Sequence, residues 1–315
     1  MTSDNGITPD ALPDHWIERA PHTLQPYLHL MRLDRPIGIW LLLIPCLWGV
    51  ALSSLAIQRA LPNLWHLFLF ALGAIVMRGA GCIWNDYIDR DFDRRVKRTK
   101  ARPLAAGHIS VREALLLMTT LAMMGLVILL QFNGFTIFFG LLSTGLIGIY
   151  PYVKRVSNFP QLILGLAFSW GALLGWSAEL NSLSFAPIML YAAAIAWAVG
   201  YDTVYAMQDI EDDALVGVGS TPRFFGKNAK LFVAACYLIC ALFMASAFKL
   251  AQTGFAAYAG LLIFAFLLGQ QVYQLEGENS VSALKAFQAN KLAGLVLFAS
   301  LIADGLLRFY LSFEL

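Results

Sequence analysis

Charge is what this chain has least of. Only 13% of its 315 residues are Asp, Glu, Lys or Arg, while 59% are hydrophobic. A soluble chain of this length needs far more charge to cover its surface, so a water-soluble globule is excluded. Cysteine is scarce too: Cys46, Cys82, Cys236 and Cys240 all fall in apolar runs, at spacings that make neither a disulfide framework nor a zinc site. The five histidines, His15, His22, His29, His66 and His108, are scattered without metal-ligand spacing. The first thirty residues hold no basic segment followed by an apolar one. No cleavable signal peptide is therefore expected, and the first apolar span directs insertion itself. No nucleic-acid partner is expected.

What fills the chain instead is a series of apolar runs of about twenty residues, the length of a membrane-crossing helix. About nine such spans are predicted, at residues 37–57, 64–84, 111–131, 134–150, 162–180, 184–205, 229–248, 254–273 and 293–313. The expected fold is an all-α polytopic membrane protein with the spans around a central cavity. Residues 1–35 form a cytoplasmic N-terminal segment and residues 36–315 a single transmembrane domain. Residues 24–33 read either as a surface-lying amphipathic helix or as a plain tether. Trp65, Tyr150 and Tyr310, near span ends, fit an interfacial aromatic belt.

The basic residues sort by side. Of the 22 Lys and Arg, all but four fall before the first span (Arg19, Arg32, Arg35) or in the loops after spans two, four, six and eight. Arg59, Lys249 and Arg308 lie on the other side, and Arg78 lies within a span. Positive charge stays cytoplasmic, which places the N-terminus inside and the C-terminus outside.

The densest charge follows the second span, in NDYIDRDFDRRVKRTKARPL, residues 85–104. Asn85, Asp86, Asp89 and Asp93 make the pattern N-D-x-x-D-x-x-x-D. Spacings of three, four and seven put these carboxylates on one face of a continuing helix. Carboxylates stacked that way repel unless a cation sits between them. Oxygen-only ligands suit Mg²⁺, usually shared with substrate phosphates. A solvated helix end, in which Asp and Arg neutralise one another, is the alternative. An echo shifts the balance: YDTVYAMQDIEDD, residues 201–213, closes the sixth span and spaces Asp202, Tyr205, Asp209 and Asp213 by three, four and four. Both acidic clusters end an even-numbered span, four spans apart, on the cytoplasmic side, with Tyr150, Pro151, Lys154 and Arg155 between them. This is read as a duplicated four-helix unit whose acidic clusters face one another across a cavity.

Carboxylates gathered at one depth need compensating cations. Two Mg²⁺ and a diphosphate supply the balance, with Arg98, Arg102, Lys154, Arg155 and Arg223 placed to hold the remaining oxygens. A diphosphate held at a bilayer surface belongs to a lipid whose tail lies in the hydrocarbon. Its loss from an allylic carbon leaves a carbocation, which aromatic faces stabilise, from which water is excluded, and which an electron-rich acceptor attacks.

At these residues the chain resembles the UbiA superfamily of intramembrane aromatic prenyltransferases. The likeness runs from about residue 24 to 313. It is carried by MRLDRPIGIWLLLIPCLWG (31–49), MRGAGCIWNDYIDRDFDRRVKRTKARPLAAG (77–107), YPYVKR (150–155), YDTVYAMQDIEDD and GSTPRFFG (219–226). The second string and YDTVYAM are typical of the 4-hydroxybenzoate branch. The resemblance implies prenyl transfer from a polyprenyl diphosphate to the ring of 4-hydroxybenzoate for ubiquinone synthesis, with Mg²⁺ as cofactor, in a bacterial inner membrane. It implies that Asn85, Asp86, Asp89 and Asp93 form one Mg²⁺-diphosphate motif and Asp209 and Asp213 the second, opened by Tyr205. Arg155 matches a basic residue implicated in substrate binding. Lys97, Arg98 and Arg102 match the diphosphate-side loop, and Asp202 is a candidate for deprotonating or orienting the acceptor phenol. One departure is that Gly219-Ser220-Thr221 stands where the family usually has Lys-Ser-Thr; Arg223 is the candidate to supply that charge.

Arg78, two turns before Asn85, reads as an anchor for the acceptor carboxylate or for the acidic cluster, against a purely structural ion pair. Arg35 reads as an interfacial anchor, and Asp304 with Arg308 as a structural ion pair. Two rival readings remain: the same chemistry on a naphthoate, homogentisate or haem, and a secondary transporter built from repeats. YDTVYAM speaks against the first. Acidic groups at span ends beside Arg-rich loops, and not at the midplane, speak against the second.

Overall fold

The computed structural model describes residues 16–95, 99–153, 157, 159–209, 219–275 and 280–311. Among them the regular structure is helical, with no strand. The α-helices are α1 (Gln25–Leu30), α2 (Ile37–Ala56), α3 (Leu64–Asp93), α4 (Pro103–Ala106), α5 (Val111–Leu129), α6 (Gly134–Val153), α7 (Pro160–Ser169), α8 (Gly171–Leu180), α9 (Phe185–Ala206), α10 (Thr221–Phe225), α11 (Ala229–Leu250), α12 (Phe255–Gln274) and α13 (Ser280–Leu311). Nine stretches of the described residues are long and apolar enough to cross a membrane, with α7 and α8 counting as one and α10 and α11 as another. The protein is a multi-pass membrane protein, and the nine spans expected from hydropathy are all present.

One span continues as the spacing of its acidic residues requires, and two others differ from the sequence reading. α3 has 30 residues and runs on through Asp93. At 1.5 Å per residue it is about 45 Å long, well beyond the roughly 30 Å of a hydrocarbon core, so its acidic end projects out of the oil. α13 begins at Ser280, thirteen residues before the predicted span. Its first turns carry Lys285, Gln288, Asn290 and Lys291, which dilute the hydropathy without breaking the helix. The fifth span is interrupted at Trp170, which closes α7 and opens α8.

Two compact units make up the chain. The first holds the N-terminal segment to Trp40 and residues Leu72–Gln131. Its core gathers Leu30 of α1, Val76, Ala80 and Ile83 of α3, Leu104 of α4, and Ile109, Ala114 and Leu121 around α5. α5 starts in a capping box: the Ser110 hydroxyl accepts from the Glu113 N–H, and the Glu113 carboxylate accepts from the Ser110 N–H. Tyr27 of α1 donates to the same carboxylate at 3.0 Å, tying α1 to that helix start.

The second unit, Leu41–Ala71 with Phe132–Leu315, is packed through small residues and indoles. A Cβ on Gly49 or Gly175 would strike the backbone of the facing helix, so α2 and α8 approach at backbone contact. Trp48 and Trp197 lie 4.8 Å apart; Trp48 donates to the Gly294 carbonyl and Trp197 to the Asn290 side chain. Asp304 does not pair with Arg308, as the spacing had suggested. Its carboxylate accepts from the N–H groups of Gly254, Ala256 and Ala257 and caps α12, while Arg308 donates to the Gln252 carbonyl. Free N–H groups at a helix start are a better match for a buried carboxylate than a guanidinium that reaches water.

Candidate active site

The first acidic motif lies on the last turns of α3, helical throughout, as its spacing requires. Asp86 and Asp93 are buried; Asn85 and Asp89 are half-buried on the same helix. α3 ends as the chain turns: the Thr99 hydroxyl donates to the Asp93 carbonyl and Arg94 reaches the Ala105 carbonyl. Arg102 follows, directly before Pro103 at the first position of α4. Proline is pre-set for a helix start, and Leu104 and Ala105 are sunk in the core, so Arg102 is delivered from a fixed backbone. Its Nη1 donates to Asp93 Oδ2 at 2.8 Å and to Asp86 Oδ1 at 3.2 Å.

A second guanidinium meets the same oxygen. Arg32 Nη2 donates to Asp86 Oδ1 at 2.6 Å, with the Asp86 side chain 1% exposed. No spacing or motif along the chain marks this role. Arg32 was one of three basic residues ahead of the first span, and its partner stands 54 positions away. Next to it, Arg35 pairs with Asp34 at 2.9 Å and His29 lies 3.7 Å from the same carboxylate. Burial pushes the Asp34 carboxyl up, but His29 and Arg35 outweigh it and hold it at about 2.

Arg78 is half-buried on α3, two turns before Asn85. Its guanidinium lies over Gly38 of α2, where a Cβ would stand 2.6 Å from Arg78 Nε. The missing side chain at Gly38 makes room for the charge.

The second motif closes α9. Asp202 and Tyr205 are half-buried on that helix. Past Ala206 the chain tightens into a 3₁₀ turn, Met207–Asp209, so Asp209 departs from the register of a straight α-helix. Behind it stands a ladder of rings at intervals of four. Trp197 meets Tyr201 at 5.0 Å, and Tyr201 and Tyr205 meet Phe287 of α13 at 5.9 and 4.6 Å. In the Gly219 loop, Ser220 and Thr221 are buried, and Thr221 donates through its N–H and hydroxyl to the Gln161 side chain of α7. Arg223 is exposed on α10. Lys97, Arg98, Lys154, Arg155 and Asp213 lie outside the described residues, as does the side chain of Asp209.

Among the described residues no group of three His, Cys, Asp or Glu is placed to hold a metal ion. The first motif nonetheless keeps one oxygen of the kind that a hard cation takes. Among the described residues Asp86 Oδ2, which is buried, has no hydrogen-bond partner and stands as an orphan acceptor on a charged group.

An all-helical, multi-pass membrane protein with an oxygen-donor cluster set among guanidiniums at the end of a spanning helix is the class that these observations define. Residues 42–302 match the UbiA prenyltransferase family, and the chain belongs to it. It is an intramembrane prenyltransferase. It is 41% identical over 286 residues to the mitochondrial 4-hydroxybenzoate polyprenyltransferase of Aedes aegypti, a match that covers 90% of this chain and 64% of that protein. The chain thus spans a little under two thirds of that relative's length. To the 4-hydroxybenzoate octaprenyltransferase of Ectopseudomonas mendocina (strain ymp) it is 41% identical over 285 residues, covering 90% of this chain and 94% of the relative. Its fold is similar to the solved structure of a UbiA homolog from Archaeoglobus fulgidus bound to GPP and Mg²⁺. There the TM-score is 0.64 at 20% identity, over 89% of this chain and 99% of the other.

Proposed function

We propose that this chain transfers a polyprenyl group from a polyprenyl diphosphate to 4-hydroxybenzoate, at the ring carbon ortho to the hydroxyl, as a step of ubiquinone biosynthesis. The observation that carries this is the 41% identity over 90% of the chain to relatives named for that acceptor, one of them bacterial. The protein acts in a bacterial inner membrane as one transmembrane domain, residues 36–315, behind a short cytoplasmic segment. Its N-terminus is cytoplasmic and its C-terminus lies on the opposite side, as the Lys and Arg distribution supports.

The chemistry assigns work to both helix ends. Mg²⁺, when bound, draws charge off the diphosphate oxygens and makes it a better leaving group. Asn85, Asp86, Asp89 and Asp93 would hold one ion, Asp209 and Asp213 the other. Lys97, Arg98, Arg102, Lys154, Arg155 and Arg223 take the oxygens of the departing diphosphate. The allylic C–O bond breaks with its electron pair leaving on diphosphate. The tail lies in membrane lipid, and the Tyr205 ring faces the carbon that becomes cationic. The ring carbon of the acceptor forms the new C–C bond and then loses its proton. Asp202 deprotonates or orients the acceptor phenol, and Arg78 holds the acceptor carboxylate.

The test is direct. Purified protein in nanodiscs, given Mg²⁺, geranyl diphosphate and 4-hydroxybenzoate, yields prenylated acid by mass spectrometry. Asp89→Ala and Asp209→Ala abolish it. No product from the wild type with short or long diphosphates would sink the reading.

A further inference from the structure

We propose that Arg32 is a positioning residue for the first acidic cluster: it fixes the Asp86 carboxylate so that Oδ2 remains as the donor to a divalent cation. This rests on Asp86 being a metal ligand, as argued above.

Three observations converge on Arg32. Its backbone sits in the left-handed region, at φ 59°. It ends α1 in a Schellman motif, where the Arg32 N–H reaches the His29 carbonyl at 3.0 Å and the Leu33 N–H reaches the Leu28 carbonyl at 3.2 Å. Glycine is the residue that this position favours, because a Cβ is strained there. The chain keeps an arginine at the position nonetheless. Second, that arginine is not spent on solvent. Its side chain is 10% exposed and donates to Asp86 at 2.6 Å, closer than Arg102 at 3.2 Å. Third, Asp86 Oδ1 takes two donors, Arg32 Nη2 and Arg102 Nη1, which fill its two acceptor sites. Oδ2 is buried and has no hydrogen-bond partner among the described residues.

Arg102 alone does not hold this geometry. It is shared with Asp93, and its contact with Asp86 is the longer of its two. The terminal torsion of an aspartate is broad and nearly two-fold, so one donor leaves the carboxylate free to exchange its oxygens. A second donor, delivered from a different segment with a fixed backbone, removes that freedom. This is the arrangement in which residues behind a metal ligand orient it without touching the metal.

The sign of the effect separates this role from simple charge. If Arg32 acted on the site only through its positive charge, removing it would tighten cation binding. If it positions Asp86, removing it weakens binding. Full-length protein in detergent is titrated with Mn²⁺, an oxygen-seeking stand-in for Mg²⁺, and free Mn²⁺ is read by electron paramagnetic resonance. Arg32→Gly suits the backbone, so helix content by circular dichroism stays at the wild-type level while the Kd for Mn²⁺ rises about tenfold, the lower end of the usual cost of losing such a support. Arg32→Gln, which keeps a Cβ and donors but no charge, also raises it and serves if Arg32→Gly does not fold. A Kd that is unchanged or lower in these variants overturns the proposal and leaves Arg32 as a helix-ending ion pair. Asp86→Asn is the reference. If the wild type binds no Mn²⁺, or Asp86→Asn binds as well as wild type, the metal-ligand reading of Asp86 itself falls, a result distinct from the failure of Arg32 alone.

Discussion

At the end of α3, Asp86 and Asp93 share the Arg102 guanidinium, and Arg32 donates to the same Asp86 oxygen. At the end of α9, Tyr205 rests on Phe287 and the helix tightens into a 3₁₀ turn at Asp209. One acidic end is braced by charge and the other by rings. A carboxylate braced by guanidiniums is held in place before any cation arrives, at the cost of competing with that cation. The end of α9 tightens into a less regular 3₁₀ backbone, and the rings of Tyr201, Tyr205 and Phe287 that precede it are of a kind suited to an electron-poor carbon. The same residue pattern thus yields two local environments, one suited to a polyanion and one to a carbocation.

The largest test of that division is a double-mutant cycle. Asp86→Asn and Asp209→Asn each lower kcat/KM at least about a hundredfold, since each removes charge stabilisation of the leaving group. If both act on one diphosphate, as proposed above, the double variant falls little below the worse single variant. Measured steady-state rates that multiply instead would show the two ends working independently and break the comparison.

A smaller effect is expected at Gly38. The Cβ of Gly38→Ala would stand 2.6 Å from Arg78 Nε and push the guanidinium aside. The obstructing atoms are the far end of a flexible side chain, so the protein still folds. The KM for 4-hydroxybenzoate rises about tenfold, the price of a misplaced charged hydrogen bond, and that for the diphosphate is unchanged. A rise in the diphosphate KM alone would move Arg78 into the acidic cluster.

Next comes Tyr205. If its ring face is what matters, Tyr205→Phe keeps turnover within about threefold, whereas Tyr205→Leu loses about tenfold. Turnover equal in both variants would leave the ladder from Trp197 to Phe287 as core packing only.

Much of this was legible in the sequence because the physics was local. Apolar runs of spanning length mark all nine spans, and the three-and-four spacing of Asp86, Asp89 and Asp93 required the helix that α3 provides. What escaped was set by tertiary partners. Arg32 has no periodic neighbour and finds Asp86 across 54 positions. The apparent i,i+4 pair of Asp304 and Arg308 is undone because the open N-terminus of α12 offers Asp304 three N–H donors. Gly38 carries no signal until Arg78 is seen over it. Charge patterns along one helix were readable; charges shared between segments were not.

The smallest effect concerns a carboxylate that neighbours the braced end without belonging to it. Asp34, beside His29 and Arg35, is held at about 2 against an ordinary 3.8. A depressed carboxylate contributes stability above its unfolded value and loses it as pH falls through its folded value. The contribution is therefore whole above about pH 4, worth about 2 kcal/mol for a side chain only 2% exposed, and is gone below about pH 2. The gap in unfolding midpoint between wild type and Asp34→Asn, followed by circular dichroism in detergent, is expected to shrink as pH is lowered from 5 toward 2.5. The gap should not change when Mg²⁺ is added, because the partners of Asp34 are His29 and Arg35. The midpoint of the wild type itself should rise with Mg²⁺ through Asp86 and Asp93, since a ligand of the folded state stabilises it. If Mg²⁺ alters the Asp34 gap, the charge bracing extends beyond Arg32 and Arg102 into the turn before α2, and the two acidic ends differ by a larger assembly than one pair of arginines.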